Sequence, residues 1–246
     1  MAAETLLEVL GLSKRFGGVR AVDDVTWSIA AGEMRCIIGP NGAGKSTFFQ
    51  VLVGRIRPDA GEIRFAGRDV TRLHPFERAR LGVAVKPQTL GVFPDLEVEH
   101  NLRLCLQRRL RGSALEDALT EKLAELDLLA KRRYPTRALS HGEKQWLGLG
   151  MALASSPRLL LLDEPTAGMS PVETEKTVEI IKQAAASGVS VLVIEHDMAF
   201  VRSLSVETTV FDAGRVFASG DISEIEKNEE VQRLYLGQRG AERLRH

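Results

Sequence analysis

The sequence predicts an α/β fold built on a parallel sheet that helices cover on both faces. Apolar runs of strand length occur late in the chain, at 159–162 and 189–194, the second broken only by Ser190. A segment with helical spacing, Pro171–Ala186, separates them and ends before Gly188, as a helix C-terminus should. Strands that are apolar throughout are typical of parallel sheets, and their alternation with helices indicates an α/β domain.

Two further parts are predicted from the earlier segments. Residues 6–12, 25–29 and 61–65 read as short strands joined by turns, which indicates an N-terminal antiparallel β part. Leucines and charged residues at helical spacing then predict amphipathic helices over 97–106 and 114–129.

At 246 residues the chain is long enough for a full hydrophobic core. We expect one domain over residues 1–246, in which 1–90 and 155–246 form the core and about 91–154 form an inserted helical subdomain. The sequence shows no repeat and no low-complexity tract.

The balance of charge narrows the classes of partner. Lys plus Arg and Asp plus Glu number 33 each, so a basic field that would attract nucleic acid is absent. The basic runs at 108–111 and 131–133 are typical of solvated helix ends. Cys36 and Cys105 are far apart in sequence and are expected to be reduced core residues.

Membrane-spanning segments are not predicted. No run approaches the roughly 20 apolar residues of a spanning helix, and the first residues lack the pattern of a signal peptide. We expect a soluble or peripheral protein, with any membrane part supplied by other chains.

A glycine-rich segment at residues 39–47 is the most informative feature of the chain. It fits the phosphate-binding pattern G-x-x-x-x-G-K-[ST]. A buried strand is predicted before it, over Met34–Ile38, and a helix after it, over 46–53, which is the context that confirms a P-loop. Backbone N–H groups and the positive helix end bind anions in such a loop. The candidate nucleotide-binding residues are Gly39, Pro40, Asn41, Gly42, Ala43, Gly44, Lys45, Ser46 and Thr47.

Specific chemistry is expected at four of the residues in this region of the sheet. Lys45 would reach the β- and γ-phosphates, and the Ser46 hydroxyl would ligate Mg²⁺. Asp163 ends an apolar strand and would hold Mg²⁺ or its water, while Glu164 would polarise the attacking water as general base. Two acids after an apolar strand usually mark a turn, but a P-loop earlier in the chain favours the functional interpretation.

The segment Leu-Ser-His-Gly-Glu at 139–143 precedes a predicted helix. A serine and a glycine at a helix start form an anion site at its N-terminus, although in isolation Ser140 would be an ordinary N-cap. Ser140 and Gly142 are therefore candidate phosphate contacts.

Together these segments resemble the ATP-binding-cassette (ABC) ATPases over nearly the whole chain. The order P-loop, Gln88, the segment at 139–143, Asp163-Glu164 and His196 is specific to that family. The resemblance implies a P-loop NTPase with a RecA-like parallel-sheet core, an N-terminal antiparallel β part and an inserted α-helical subdomain. It also implies ATP and Mg²⁺ as cofactors.

The resemblance assigns further roles. Gln88 aligns with the glutamine that contacts Mg²⁺ and water and reports to the membrane partner. Ser140 and Gly142 align with the signature that contacts the γ-phosphate bound on the opposite subunit. His196 aligns with the switch histidine on the γ-phosphate, and Phe16 with the aromatic residue that stacks on adenine. Read alone, Phe16 would be a core aromatic residue and His196 a residue at a strand end.

Three positions depart from the family pattern. His141 and Glu143 stand in a signature that usually reads Leu-Ser-Gly-Gly-Gln. The His141 ring lies where a backbone N–H approaches phosphate, which bears on the hydrolysis rate. Ser170 stands where many cassettes carry an aspartate that ties the subunits together, which bears on coupling between subunits.

Four segments resemble one branch of the family, the ATPase subunit of branched-chain amino-acid importers, and more closely its urea-type subfamily: residues 32–38, 140–146, 195–204 and 234–237. This implies a peripheral motor on the cytoplasmic face of the cell membrane, which dimerises around two ATP and drives alternating access. The partners implied are two membrane-spanning permease subunits, a paralogous ABC ATPase subunit or a second copy, and indirectly an extracytoplasmic solute-binding protein. The solute would be urea, a short amide or a branched-chain amino acid.

Two alternatives remain open at this point. A non-transport ABC ATPase acting as an ATP-gated clamp on nucleic acid or in translation is disfavoured by the single P-loop, the neutral charge and the lack of a long coiled-coil insertion. A nucleotide-binding regulator with little turnover is suggested by His141.

Overall fold

A computed structural model describes residues 4–86 and 91–235. In chain order its strands and helices are β1 (Thr5–Phe16), β2 (Val19–Ala30), β3 (Met34–Ile38), α1 (Lys45–Val53), β4 (Ala60–Phe65), β5 (Arg68–Asp69), α2 (Pro75–Arg80), β6 (Val83–Lys86), α3 (Val98–Leu106), α4 (Gly112–Glu125), α5 (His141–Leu153), β7 (Leu159–Asp163), α6 (Pro171–Ala186), β8 (Ser190–Ile194), α7 (Met198–Leu204), β9 (Glu207–Asp212), β10 (Arg215–Asp221) and α8 (Ile222–Ile225). Short 3₁₀ turns at Leu129–Lys131 and Thr136–Ala138 lie between α4 and α5.

The larger sheet has six strands in the order β10-β9-β3-β8-β7-β6. All of them run parallel except β10, which pairs antiparallel with β9. Every residue of β8 and the first four residues of β7 are buried, which accounts for their almost entirely apolar sequences. The predicted parallel-sheet core is confirmed.

The smaller sheet is antiparallel, with strand order β2-β1-β4-β5, and confirms the predicted N-terminal β part. Its first two strands are longer than predicted, because pairing continues through the polar hairpin end as far as Phe16 and Val19. The side chains there are exposed or half-buried, so this end of the hairpin carries no apolar signal in the sequence.

Two apolar cores occupy the two faces of the parallel sheet. Successive residues of a strand point to opposite faces, so Ile37 enters one core while Cys36 and Ile38 enter the other. The first core joins the parallel sheet to the antiparallel sheet through Phe48 and Phe49 of α1. The second core packs α3, α4, α5 and α6 onto the sheet. The site described below is therefore supported from both sides.

Helices α3, α4 and α5 lie between β6 and β7 in the chain, as the sequence predicts. Helix α4 begins at Gly112 rather than 114 and ends at Glu125 rather than 129, because a separate 3₁₀ turn forms over Leu129–Lys131. The division into core segments 1–90 and 155–246 around an insertion at 91–154 stays a prediction.

Both cysteines are free thiols, and Cys36 is buried. Burial raises the pKa of the Cys36 thiol to about 12. Within the two described ranges, no helix has the length and apolar character that crossing a membrane requires.

Candidate functional site

Three adjacent parallel strands, β3, β8 and β7, end at one edge of the larger sheet. The P-loop follows β3, Asp163 is the last residue of β7, and His196 comes two residues after β8. The carboxyl ends of strands are the side on which open α/β sheets bind ligands. The fold thus brings the P-loop, Asp163, Glu164 and His196 to a single edge.

Lys45 is the first residue of α1 and lies inside the P-loop. Its Nζ donates hydrogen bonds to the carbonyl oxygens of Gly39, at 2.5 Å, and Pro40, at 3.0 Å. Burial lowers the pKa of Lys45, and the charges of Glu164 and Asp163 oppose that shift. A phosphate at the loop would offer this ammonium group a charged acceptor, which makes a stronger hydrogen bond than a carbonyl.

The P-loop requires glycine where neighbouring strands approach its backbone. Gly44 has a φ of 100°, and a Cβ there would lie 2.1 Å from the carbonyl oxygen of Ala21 on β2. A Cβ at Gly39 would lie 2.2 Å from the carbonyl oxygen of Phe211 on β9. The P-loop therefore contacts β2 and β9 directly. Asn41, Gly42 and Ser46 are exposed, Gly44 and Thr47 are half-buried, and Gly39, Pro40 and Ala43 are buried.

Two acidic residues lie beside the P-loop at the end of β7. Glu164 has a φ of 44°, a left-handed conformation that is uncommon for residues other than glycine and clusters at functional sites. Its N–H donates to the carbonyl of Ile194 at 2.9 Å, which ties it to β8. Burial, and then the charge of Glu164, raise the pKa of Asp163. A divalent cation fits this pair, because it would offset the repulsion between the carboxylates.

His196 lies next to this acidic pair. Its Nδ1 is 3.5 Å from Oε1 of Glu164 and 3.7 Å from Oε2 of Glu195, and most of its side chain is exposed. The imidazole can therefore face a ligand while contacting the carboxylate predicted to act as general base.

Two charged residues at this edge were not singled out from the sequence. Glu195 is only 1% exposed, and its Oε1 accepts the Thr166 hydroxyl at 2.6 Å. Lys86, at the end of β6, is buried, which lowers its pKa to about 8 against the opposing charges of Asp163 and Glu195. Among the described residues its Nζ has no hydrogen-bond partner. An ionisable residue at the carboxyl end of an apolar strand is the signal that could have indicated both.

Phe16 ends β1 and is 49% exposed, with Nζ of Lys14 5.5 Å from its ring centroid. The β1–β2 hairpin that carries Phe16 also contributes Ala21, whose carbonyl lies against Gly44 of the P-loop. An exposed aromatic face is thus carried by the same hairpin that contacts the loop. Gln88 lies outside the described residues.

The segment at 139–143 forms the start of α5. Ser140 is the N-cap: its hydroxyl accepts the N–H of Glu143 at 3.2 Å, and the Glu143 carboxylate accepts the N–H of Ser140 at 2.9 Å. Glu143 also pairs with Nζ of Lys131 at 2.5 Å. Nε2 of His141 lies 3.0 Å from the carbonyl oxygen of Ala167, and only a protonated nitrogen can pair with a carbonyl. The departures at His141 and Glu143 thus have structural partners.

The residues predicted to contact phosphate therefore fall into two sets, one at the P-loop and the other, Ser140 and Gly142, at the start of α5. No hydrogen bond within the described ranges connects Ser140 or Gly142 with the P-loop, whereas Ser140 does contact α6.

Comparison with known proteins identifies the family. A family model described as ABC transporter matches residues 22–167, which is more than half of the chain. A probable ABC transporter ATP-binding protein from Azorhizobium caulinodans is 36% identical over 241 residues, covering 96% of this chain and 84% of the relative. The chain belongs to the ABC transporter ATP-binding family. As an ABC ATPase it binds and hydrolyses ATP.

Other members of the ABC family extend the comparison. The lipopolysaccharide export system ATP-binding protein LptB from Escherichia coli (strain K12) is 35% identical over 234 residues, covering 94% of this chain and 97% of LptB. The crystal structure of MJ1267, an ATP-binding cassette of an ABC transporter in its ADP conformation, superposes with a TM-score of 0.85 at 25% identity, covering 96% of this chain and all of that one. The predicted fold class, an ABC cassette, is confirmed.

Proposed function

We propose that this chain is the ATP-hydrolysing motor subunit of an ABC importer, and that its P-loop, Asp163, Glu164 and His196 carry out hydrolysis together. The observation that supports this is the convergence of β3, β7 and β8, which puts a cation, two carboxylates and an imidazole around one anion-binding loop. A regulator without turnover would not need a carboxylate held in a left-handed conformation next to the loop.

In the proposed reaction, the P-loop N–H groups and Lys45 bind the phosphates, and Phe16 stacks on adenine. Glu164 takes a proton from the water that attacks the γ-phosphorus, the bond to the bridging oxygen breaks, and ADP leaves with that oxygen. His196 contacts the γ-phosphate and lies 3.5 Å from Glu164, so it can hold the base in position. Mg²⁺, held by Ser46, Asp163 and Gln88, would neutralise charge on the phosphate oxygens.

The second set of phosphate contacts indicates how two cassettes would work together. Ser140 and Gly142 lie at the start of α5, and the hydrogen bonds of the Ser140 hydroxyl go to α5 and α6 rather than to the P-loop of the same chain. We infer that they complete the site of an opposing cassette, so that each ATP lies between one P-loop and one α5 end. ATP would then favour the closed pair and hydrolysis would release it. The opposing cassette is proposed to be a paralogous ABC ATPase, or a second copy.

A basic cleft supports docking on membrane partners. It has a volume of about 800 Å³ and lies between α2 and β6 on one side and α3 and α5 on the other. Among the described residues that line it there is no acidic side chain, while Arg55, Arg80, Arg108 and Arg109 do line it. Phe76 is 59% exposed at its rim. The first two residues of the basic run at 108–111, which was expected to be a solvated helix end, thus line a cleft that suits an acidic, partly apolar segment of a permease subunit.

The importer direction and the solutes, namely urea, short amides or branched-chain amino acids, rest on the resemblance of the four segments at 32–38, 140–146, 195–204 and 234–237. An exporter is a second candidate, because LptB relatives from several bacteria match nearly the whole chain at 31–35% identity. A direct test of partners separates the two.

We would purify the tagged full chain from its native membranes in mild detergent and identify what co-purifies. Two membrane-spanning chains and a second cassette support the transporter, and stimulation of reconstituted ATPase activity by a solute-binding protein loaded with urea, an amide or a branched-chain amino acid supports the importer. Stimulation by lipopolysaccharide supports the exporter. Recovery with nucleic acid or ribosomal proteins alone rejects both in favour of the ATP-gated clamp.

A charge reversal tests the cleft in the same experiment. Arg108→Glu with Arg109→Glu should abolish co-purification of the membrane chains. Arg111→Glu is the matched control, because Arg111 belongs to the same basic run but does not line the cleft. Equal recovery of partners with the double variant and the control would place docking elsewhere.

A further inference from the structure

The N-terminal end of α5 already contacts an anion, and that anion belongs to the same chain. Oε1 of Glu173, in the first turn of α6, accepts the hydroxyl of Ser140 at 3.2 Å. A Cβ built at Gly142 would lie 2.2 Å from the same oxygen, so the carboxylate lies directly against the backbone of Gly142. Hydrogen bonds from the N–H and hydroxyl of Ser170, followed by the Ser140 hydroxyl and the nearby N–H of Gly142, hold the pKa of Glu173 below its usual value.

The other carboxylate oxygen of Glu173 is held by its own helix. Oε2 accepts both the N–H and the hydroxyl of Ser170, each at 2.9 Å, in the capping box of α6. One helical turn further along, the hydroxyl of Thr177 accepts Nε1 of Trp146 at 3.0 Å in a buried contact between α6 and α5. Thr177 and Glu173 lie on the same face of α6. The contact between Thr177 and Trp146 therefore holds that face, including Glu173, against α5.

The donors that Glu173 occupies are those assigned to the γ-phosphate of the opposing cassette. A carboxylate oxygen and a phosphate oxygen require the same hydroxyl and N–H donors, and two anions cannot share them without strong repulsion. The side chain of Glu173 must therefore leave Ser140 and Gly142 before a phosphate can bind there.

Ser170 makes this arrangement possible. Its hydroxyl donates to Oε2 of Glu173 and also caps α6 by accepting the N–H of Glu173 at 3.4 Å. A carboxylate at position 170 could cap the helix but could not donate a hydrogen bond to Glu173. Ser170, which departs from the family pattern, thus helps to hold Glu173 at the start of α5.

We propose that Glu173 is an internal competitor of the γ-phosphate at the start of α5, and that its displacement sets the ATP concentration at which two cassettes close. The inference rests on the proposed function, since it requires the closed pair. It adds a regulatory contact within each subunit. The Glu173 carboxylate occupies the start of α5 until the γ-phosphate of a nucleotide on the opposing subunit displaces it.

The first test measures dimer formation against ATP concentration by analytical ultracentrifugation, in the Glu164→Gln background that retains ATP. Glu173→Gln preserves the shape and the capping box but removes the charge. It should lower the ATP concentration for half-maximal dimer about tenfold, the equivalent of about 1.4 kcal/mol for one charge-assisted hydrogen bond. Glu175→Gln, the same charge change at an exposed position of α6, should leave it unchanged. An unchanged or raised concentration with Glu173→Gln overturns the proposal.

A second test needs no dimer. In the Lys45→Ala variant, inorganic phosphate is titrated while the amide resonance of Gly142 is followed by NMR, with Glu or Gln at position 173. Competition predicts a response at lower phosphate with Gln. An equal response with both side chains overturns the competition. If phosphate acts at lower concentration with Gln, but the Glu164→Gln chain of the first test does not dimerise at any ATP concentration, the competition is supported and the closed pair is rejected. The two proposals therefore fail separately.

Discussion

Two helices of this protein begin at a glycine-containing segment that presents N–H groups to an anion, but their surroundings differ in charge. The start of α1 holds a cation, since Nζ of Lys45 lies within the P-loop on the carbonyls of Gly39 and Pro40. The start of α5 holds an anion, since the Glu173 carboxylate lies on Ser140 and Gly142. The N–H groups at the start of α1 are thus open to a phosphate, whereas those at the start of α5 are covered by a carboxylate.

The difference teaches that an N-terminal anion site is defined by its tertiary partners as much as by its motif. The α1 end can receive a nucleotide within a single chain, because its cation attracts the phosphates. The α5 end must exchange one anion for another. Changes at α1 should therefore affect nucleotide binding by the isolated chain. Changes at α5 should leave that binding intact and affect the closing of two chains.

The largest effect is expected at the P-loop. Lys45→Ala removes the ammonium group that the fold buries within the loop, and ATP affinity of the isolated chain should fall at least a hundredfold, about 3 kcal/mol, in a fluorescent-nucleotide titration. Lys144→Ala, which removes a lysine from the first turn of α5, is the matched control and should bind ATP normally. Tight ATP binding by Lys45→Ala would contradict the P-loop assignment.

Hydrolysis should respond next. Glu164→Gln removes the proposed base and should lower steady-state ATPase turnover by about two to three orders of magnitude, as expected when a general base is lost. Nucleotide binding should persist, and ATP-bound dimer should accumulate in size-exclusion chromatography. Turnover equal to that of the unmodified chain would reject Glu164 as the base.

The sequence was sufficient to predict the α1 side of this comparison. The strand, the loop and the helix are local in sequence, and β7 ends at Asp163 as its apolar run indicates. The α5 side was only half predictable. The Ser140 N-cap is local, but Glu173 reaches it across 33 positions through the packing of two helices, which no periodicity shows. Lys86 and Glu195 were missed because a charged residue at a strand end usually begins an exposed loop, and only the packing at the sheet edge shows that both are buried.

A substitution at Gly142 tests the contact between Glu173 and the start of α5 through the free energy of unfolding, without any nucleotide. In Gly142→Ala the new Cβ would meet Oε1 of Glu173 at 2.2 Å, so the carboxylate must move. We expect a loss of up to about 1 kcal/mol in the free energy of unfolding, because the carboxylate leaves its hydrogen-bond donors but remains solvated. Urea denaturation of the nucleotide-free chain measures this, and ATP binding by the isolated chain should remain.

Gly148, on the same helix, provides the matched control. A Cβ there meets nothing within 4 Å, so Gly148→Ala should stabilise α5 by up to about 1 kcal/mol through helix propensity. If both alanines stabilise the protein, Glu173 does not lie against the start of α5 in solution.

The smallest effect is expected at Glu143, which contacts the same helix end without covering it. Glu143→Gln keeps the capping box with Ser140, since an amide oxygen can accept the same N–H. It loses only the ion pair with Lys131, whose side chain is 42% exposed, so solvent screening should limit the loss to about 0.5 kcal/mol. A double-mutant cycle with Lys131→Ala measures the coupling. A coupling well above 1 kcal/mol would mean that charge at the α5 end is less screened than its exposure indicates, and the competition between Glu173 and a phosphate would then be correspondingly stronger.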